Sequence, residues 1–195
     1  LRLTMIVVTP AAVGLLMLSG PMMATLFGYG AFSTRDVLMS SYALMAYSLG
    51  LMGFSFVKVL APGYFARQDT KTPVKIGIIA LSINMAFNLG VVVPVYLNGF
   101  PVPHALLALS TGLSALVNAT LLYRGLRRQG VYAPSGHWRR LLPQVALASA
   151  AMAGFLWWIS GDWAAWSGWR ASARALQLAL CVGGGAGVYF LALWL

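Results

Sequence analysis

Acid is almost absent from this 195-residue chain: three aspartates, Asp36, Asp69 and Asp162, and no glutamate. Charged residues of both signs make up 8%, against roughly 25% in soluble domains. So few charges could not cover the surface of a water-facing globule of this length. The single cysteine, Cys181, excludes an internal disulfide framework. Long polar stretches are missing too, and a chain that is 60% hydrophobic and 12% aromatic does not stay solvated as a disordered coil. An intramembrane enzyme would need carboxylates, clustered histidines or an activated nucleophile within its apolar runs. All three aspartates lie between those runs, and no metal-ligand spacing occurs. The triplet Gly183-Gly184-Gly185 lies mid-run without a lysine, so it is no phosphate loop.

What is present is lipid-compatible sequence, with a mean hydropathy of +0.81. No charge occurs between Arg2 and Arg35, Asp36 and Lys58, Lys75 and Arg124, Arg140 and Asp162, or after Arg174. About 20 apolar residues cross the hydrocarbon core as a helix, and buried backbone polar groups there must pair internally. Six spans follow: 5–27, 37–60, 74–96, 105–123, 141–159 and 175–195. The long Lys75–Arg124 interval holds two of them, broken at Leu97-Asn98-Gly99-Phe100-Pro101, a turn-forming run. The chain opens on Leu1 and its last span reaches the final residue. A signal peptide does not account for the first span, which has one charge ahead of it and no soluble domain behind it. The expectation is the C-terminal part of a larger membrane protein.

The net charge of +10 would suggest nucleic acid in a soluble protein, but here the bases sit in clusters between spans. One side holds Arg2, Lys58, Arg67, Lys71, Lys75, Arg124, Arg127, Arg128, Arg139 and Arg140; the other holds Arg35, Arg170 and Arg174. The positive-inside rule puts the ten in the cytoplasm. Their partners are then anionic lipid headgroups, not nucleic acid. The outer loop 161–169 carries Trp163, Trp166 and Trp169, which fits an interfacial aromatic belt. Arg170 and Arg174 read as an interfacial anchor on the same side. His104 and His137 lack ligand-type neighbours, and Cys181 among apolar residues reads as filler.

The most distinctive stretch is the inner loop Leu60-Ala61-Pro62-Gly63-Tyr64-Phe65-Ala66-Arg67-Gln68-Asp69-Thr70-Lys71-Thr72-Pro73-Val74-Lys75. Pro62-Gly63 should stop the second helix. Thr72 should cap the third, with Pro73 at its first position. This loop resembles that of the MurJ (MviN) family of bacterial lipid II flippases. Leu18-Ser19-Gly20-Pro21, Leu26-Phe27-Gly28-Tyr29-Gly30-Ala31-Phe32, Ala43-Leu44-Met45-Ala46-Tyr47-Ser48-Leu49-Gly50-Leu51 and Asn118-Ala119-Thr120-Leu121-Leu122-Tyr123 with Arg127-Arg128 are similar to the family as well. The resemblance is strongest from Gly14 to Lys75 and weakest after His137.

The resemblance implies an all-α integral membrane protein, part of a fourteen-helix transporter of the multidrug/oligosaccharidyl-lipid/polysaccharide (MOP) type. Residues 1–135 would be four helices of the second lobe, and 136–195 the C-terminal helix pair. The implied activity is movement of undecaprenyl-pyrophosphate-linked muropeptide (lipid II) from the inner to the outer leaflet of the bacterial cytoplasmic membrane, by alternating access. The implied partners are lipid II, membrane lipids and the missing N-terminal lobe, which would carry the headgroup-binding arginines. Other readings are a polysaccharide-lipid flippase or multidrug antiporter of the same superfamily, and a non-transporting scaffold.

Polar residues inside spans are costly and hence informative. Asn84 and Asn88 share one face of the third span, and Ser110, Ser114 and Asn118 one face of the fourth. If the two helices are antiparallel neighbours, Asn84 should be level with Ser114, and Asn88 with Ser110 or Thr111. The default is an interhelical hydrogen-bond ladder. The alternative, a monovalent cation site with coupling to ion gradient or membrane potential, lacks a carboxylate. In the second span Ser41, Met45, Ser48, Met52 and Ser55 form a heptad-like stripe ending near Lys58. Packing is the default, and the functional alternative makes Ser48, Ser55 and Lys58 a cavity wall that draws in pyrophosphate. Ala146, Ala150 and Gly154, with Gly183, Gly184, Gly185 and Gly187, allow close packing of the last two helices. The resemblance adds a lipid-tail groove there, lined by Ala150, Gly154, Gly183, Gly184 and Gly187.

Overall fold

A computed structural model describes residues 1–99, 102–132, 138–161, 166 and 168–194. Among these described residues six helices are long and apolar enough to cross a membrane: α1 (Arg2–Phe27), α2 (Thr34–Phe65), α3 (Lys71–Leu97), α4 (Pro103–Arg128), α5 (Trp138–Ser160) and α6 (Ala171–Trp194). Among the described residues there is no strand. Each helix outruns its apolar segment, because the hydrocarbon length sets only a minimum and the ends continue into the polar interface. At the start of α2, for example, the Asp36 N–H donates to the Ser33 hydroxyl (3.3 Å) and the Ser33 N–H to the Asp36 carboxylate (2.9 Å), a capping box.

Two local expectations are corrected. Pro62 does not stop α2, which continues to Phe65. So near a helix end the missing N–H costs only one bond, to the carbonyl one turn back. Likewise α3 is not a uniform α-helix: Asn88–Val92 forms a π-helical turn, with the Val93 N–H donating to the Asn88 carbonyl. Pro94 follows directly. Its ring would clash with the carbonyl four residues back, and the wider turn absorbs the misfit.

Helix packing is built outward from α2 and α4, the most extensive pair. Buried on α2 are Ala46, Gly50, Gly53, Leu60 and Tyr64; buried on α4 are Ala108, Gly112, Ala115, Ala119, Leu122 and Leu126. The spacing alternates between three and four residues on α4, and on α2 it does so apart from the step from Gly53 to Leu60, which makes a continuous seam. Small residues fill its outer half and large ones its inner half. A Cβ on Gly50 would collide with the Gly112 Cα, and one on Gly53 would lie 2.6 Å from the Ala115 carbonyl carbon. The backbones themselves therefore touch, which only side-chain-free positions allow. At the inner end Leu60, Tyr64, Ile76, Leu122 and Leu126 form a compact cluster that also catches α3.

On the far side of α2 lies α1, which also packs on α5 and α6. Two buried polar contacts fix α6 along it. Pro10 lacks the N–H that would bond the Ile6 carbonyl, and the buried Tyr189 hydroxyl donates to that oxygen instead, at 2.8 Å. At the other end Arg174, 7% exposed, donates from Nη1 to the Ala24 (2.9 Å) and Gly28 (3.1 Å) carbonyls and from Nε to the Trp169 carbonyl (3.0 Å). Its guanidinium also lies over the Tyr29 ring, 5.6 Å from the centroid. Arg174 is thus a buried cap on the C-terminus of α1, favoured by the helix dipole, and not the interfacial anchor expected from sequence. Trp166 is corrected as well. It is fully buried, its indole N–H donates to the Ser160 carbonyl (3.0 Å), and it stacks on Trp169 at 5.3 Å. A bonded indole under the α5–α6 connection serves the core; Trp163 lies outside the described residues.

The seam makes a test. Gly112→Val places a branched side chain against the α2 backbone and should destabilise the protein by more than the ~1–3 kcal/mol of ordinary overpacking. Gly183, with open space around its Cβ position, should accept valine with little loss. Thermal unfolding of the two variants in detergent separates them.

Candidate functional site

The inner elbow between α2 and α3 is built by backbone and side chain together. Gln68 adopts a left-handed φ of 58°, which lets the Asp69 N–H return to the Tyr64 carbonyl at 3.1 Å, as in a Schellman-type stop. The Asp69 carboxylate then accepts the Thr72 N–H at 3.0 Å. This corrects the expected cap: α3 starts at Lys71 with Thr70 at its N-cap position making no side-chain bond, and the Asp69 carboxylate, not Thr72, supplies the cap from one residue earlier. A charged oxygen suits the positive helix end better than a hydroxyl. Hydrogen bonds from the Thr72 hydroxyl and N–H, then from Gln129 and the Lys71 N–H, hold the Asp69 carboxyl below the usual carboxylate range. Arg67 Nη1 donates to Gln129 Oε1 at 3.4 Å, and the buried Tyr64 hydroxyl donates to the Leu122 carbonyl at 2.8 Å. The elbow is thereby tied to the end of α4, with Lys58, Arg67, Lys71 and Lys75 exposed around it.

Midway through α3, four polar side chains meet. Asn88 Nδ2 donates to Asn84 Oδ1 (3.0 Å), Ser110 Oγ to Asn88 Oδ1 (2.7 Å), and Asn84 Nδ2 to Ser110 Oγ (3.3 Å) and Thr111 Oγ1 (3.5 Å). Asn88 and Ser110 are level, as the depth comparison has it. Asn84 is not level with Ser114: its amide reaches Ser110 and Thr111, while the Ser114 hydroxyl bonds the Thr111 carbonyl of its own helix at 3.0 Å. The internal Asn84–Asn88 bond pulls the lower amide toward the upper one. Asn118 stands apart, its buried Oδ1 without a partner among the described residues.

The α2 stripe faces α1. The Thr9 hydroxyl points at Met52 Sδ across 4.0 Å. Ser41 and Ser48 are buried, with hydroxyls returned to the Val37 and Met45 carbonyls of their own helix. Ser55 is half-buried and Lys58 exposed, so the structure sets Ser48 into packing and leaves Lys58 at the inner surface. The glycines of the last pair also divide. A Cβ on Gly184 would lie 2.8 Å from the Phe155 ring, and one on Gly185 3.0 Å from Leu156 Cδ2. Gly154, Gly183 and Gly187 have nothing within 4 Å of that position, and Ala150 is exposed. His104 lies in the first turn of α4 with Nε2 buried and unpartnered; His137 falls outside the described residues.

Comparison with known proteins bears on the whole arrangement. A family model described as lipid II flippase MurJ matches residues 1–174. The chain belongs to the MurJ family. It is 40% identical over its full length to "Lipid II flippase MurJ" of Burkholderia cenocepacia, covering 36% of that protein. It is 43% identical over 92% of its length to "Probable lipid II flippase MurJ" of Vibrio cholerae, covering 33% of it. A solved structure, "Lipid II flippase MurJ, inward closed conformation", superimposes with a TM-score of 0.71 at 23% identity, covering 98% of this chain and 36% of that one. The chain thus spans about a third of the length of the curated relatives it matches. The match runs through α1 to α5 and ends at Arg174. The MurJ family places the chain in the bacterial inner membrane as a multi-pass protein.

Sequence reasoning passed over Gly50, Gly53, Gly112 and Tyr189 among the residues that set this geometry, and gave Arg174 a different role, that of an interfacial anchor. The first three had a readable signal, small residues at seven-residue spacing on both helices. For Tyr189 and Arg174 there was none, since each acts on a backbone carbonyl far away in the chain.

The elbow carries a pH prediction. Because the Asp69 carboxyl titrates below its unfolded value, near 3.9, its stabilisation is complete above that value and is lost as pH falls through the lower folded one. Asp69→Asn should remove that part of the acid sensitivity, measured as thermal stability between about pH 5 and 3. An unchanged acid limb in the variant would show that the cap contributes nothing.

Proposed function

We propose that this chain forms helices nine to fourteen of a lipid II flippase, which carries the undecaprenyl-pyrophosphate-linked muropeptide from the inner to the outer leaflet by alternating access. The observation that carries this is the MurJ family match over residues 1–174, joined to relatives that bear the flippase name at 40–44% identity. Its partners are then lipid II, the surrounding lipids and the rest of the same protein. The chain performs transport and makes no covalent bond. A polysaccharide-lipid or drug exporter shares the architecture but not this family.

Three features support roles within such a cycle. Lys58, exposed one turn before Pro62, is positioned to draw a pyrophosphate toward the inner mouth. Gly154, Gly183 and Gly187 have open space at their Cβ positions and Ala150 is exposed, which supports a role for them beside a polyprenyl tail, whereas the Gly184 position is closed by Phe155. The Asn84–Asn88–Ser110–Thr111 network ties α3 to α4. The second reading, a monovalent cation bound there with coupling to the membrane potential, draws support from the π-helical turn that starts at Asn88; such turns recur at functional sites.

The decisive experiment is rescue of a flippase-depleted bacterium by the full-length gene. In that assay Lys58→Gln and Gly187→Leu should each slow growth and lipid II translocation at unchanged protein levels; full activity in both would remove these roles. Asn88→Ala should lower stability by about 0.6 kcal/mol, the measured average for interhelical polar contacts, and by no more than about 1.7 kcal/mol, and leave the ion dependence of transport intact. Loss of that dependence at preserved stability would favour the cation.

A further inference from the structure

We propose that the cleft between the outer ends of α1, α2 and α4 is wet, and that it takes the saccharide and peptide part of the substrate headgroup rather than its pyrophosphate. Helices α1 and α4 pack on opposite sides of α2. Ser41 and Ser48 lie on its α1 side, and Gly50 and Gly53 meet α4. A cleft runs along each of the two remaining sides, and their α2 positions interleave, from Met39 to Tyr47 and from Tyr42 to Leu49. The second cleft, of about 430 Å³, is walled by leucines such as Leu16, Leu49 and Leu109, with the Tyr42 hydroxyl as its one polar side-chain group. The first, of about 500 Å³, is lined by Asp36, Ser40, Tyr47 and His104 beside apolar groups. Polar side chains in a span face the bundle interior or a water-filled cavity, so one side of α2 reads as lipid-facing and the other as wet.

These four polar groups also keep unused bonding capacity. Ser41 and Ser48 return their hydroxyls to carbonyls of their own helix, at 2.6 and 2.7 Å. The Ser40 and Tyr47 hydroxyls and the His104 ring bond nothing among the described residues. Asp36 uses only Oδ2, which accepts the Ser33 N–H and hydroxyl at 2.9 and 2.7 Å. Lys58 follows Tyr47 by about three helical turns, so it stands on this same face at the inner end of α2. The chemistry of the outer cleft selects its ligand. Its one charge is a carboxylate and no basic side chain lines it, which disfavours a phosphate. Sugar hydroxyls and amide N–H groups can donate to Asp36 and exchange hydrogen bonds with Ser40, Tyr47 and His104. The volume falls within the ~300–1,000 Å³ range of small-molecule sites. The ligand assignment rests on the flippase reading above; the wet face does not.

The test uses the full-length protein in membranes, in a background without other cysteines, with Ser40→Cys, Tyr47→Cys, Leu49→Cys or Leu109→Cys introduced one at a time. A membrane-impermeant maleimide added from the outer side should modify the first two variants and leave the last two unmodified. A soluble muropeptide without its polyprenyl chain should slow modification of Ser40→Cys, and inorganic pyrophosphate should not. Adding His104→Ala should raise the muropeptide concentration needed by about fivefold, the loss of one hydrogen bond, with the contrast between the two clefts unchanged. Equal modification of both clefts overturns the proposal. So does no modification of either, which would mean that the rest of the protein fills the polar cleft. Protection by pyrophosphate in place of the muropeptide, or by neither, overturns the ligand assignment. Failure of the flippase reading shows separately, as lost rescue of the depleted bacterium with the labelling contrast intact.

Discussion

Direct backbone contact between α2 and α4, at Gly50, Gly53, Gly112 and Ala115, is the constraint from which the rest of the packing proceeds. Lipid offers no hydrophobic force between helices, so association depends on close van der Waals approach and on the few polar contacts available. Bringing two helices to touching distance fixes their crossing and the depth of one against the other. That depth places Tyr64 under the Leu122 carbonyl and brings the elbow at Asp69 to Gln129. It also fixes the level at which α4 presents Ser110 and Thr111 to α3. Without the seam, the polar cluster would have no register.

The second organising feature is that α1 is shared. On one face it meets α2; on another it is bound by α5 and α6. The contacts to α6 repair defects in α1 itself: a carbonyl freed by Pro10, and the open carbonyls at its C-terminus. In a medium without water such groups are costly to leave unpaired, so the tyrosine and the arginine act as ties between elements distant in sequence. The last helix pair is fastened near both ends to a helix of the preceding group and should move with it.

The legible parts of the sequence were those governed by solvent. Apolar length located six spans, and the spacing of four in Asn84/Asn88 and in Ser110/Ser114/Asn118 anticipated that the third and fourth spans would meet, although Ser114 and Asn118 stay outside the cluster. Illegible parts were of two kinds. Some were local but finely balanced, such as Pro62 within α2, the π-helical turn before Pro94, and Asp69 replacing Thr72 as cap. Each turns on one hydrogen bond near a helix end. Others were long-range: Arg174 read as a surface charge because the Ala24 and Gly28 carbonyls it serves lie 150 and 146 positions away in the chain.

The sequence by itself determined that this is a helical membrane protein with six apolar spans, because transfer of side chains into lipid depends on composition alone. Its inner-loop motif pointed to the flippase family on the same page. Only the tertiary structure decided which helices touch and at what depth, and which side chains on a span are ligands for a neighbour's backbone. Those outcomes depend on contacts between residues up to 183 positions apart, and no local pattern encodes them.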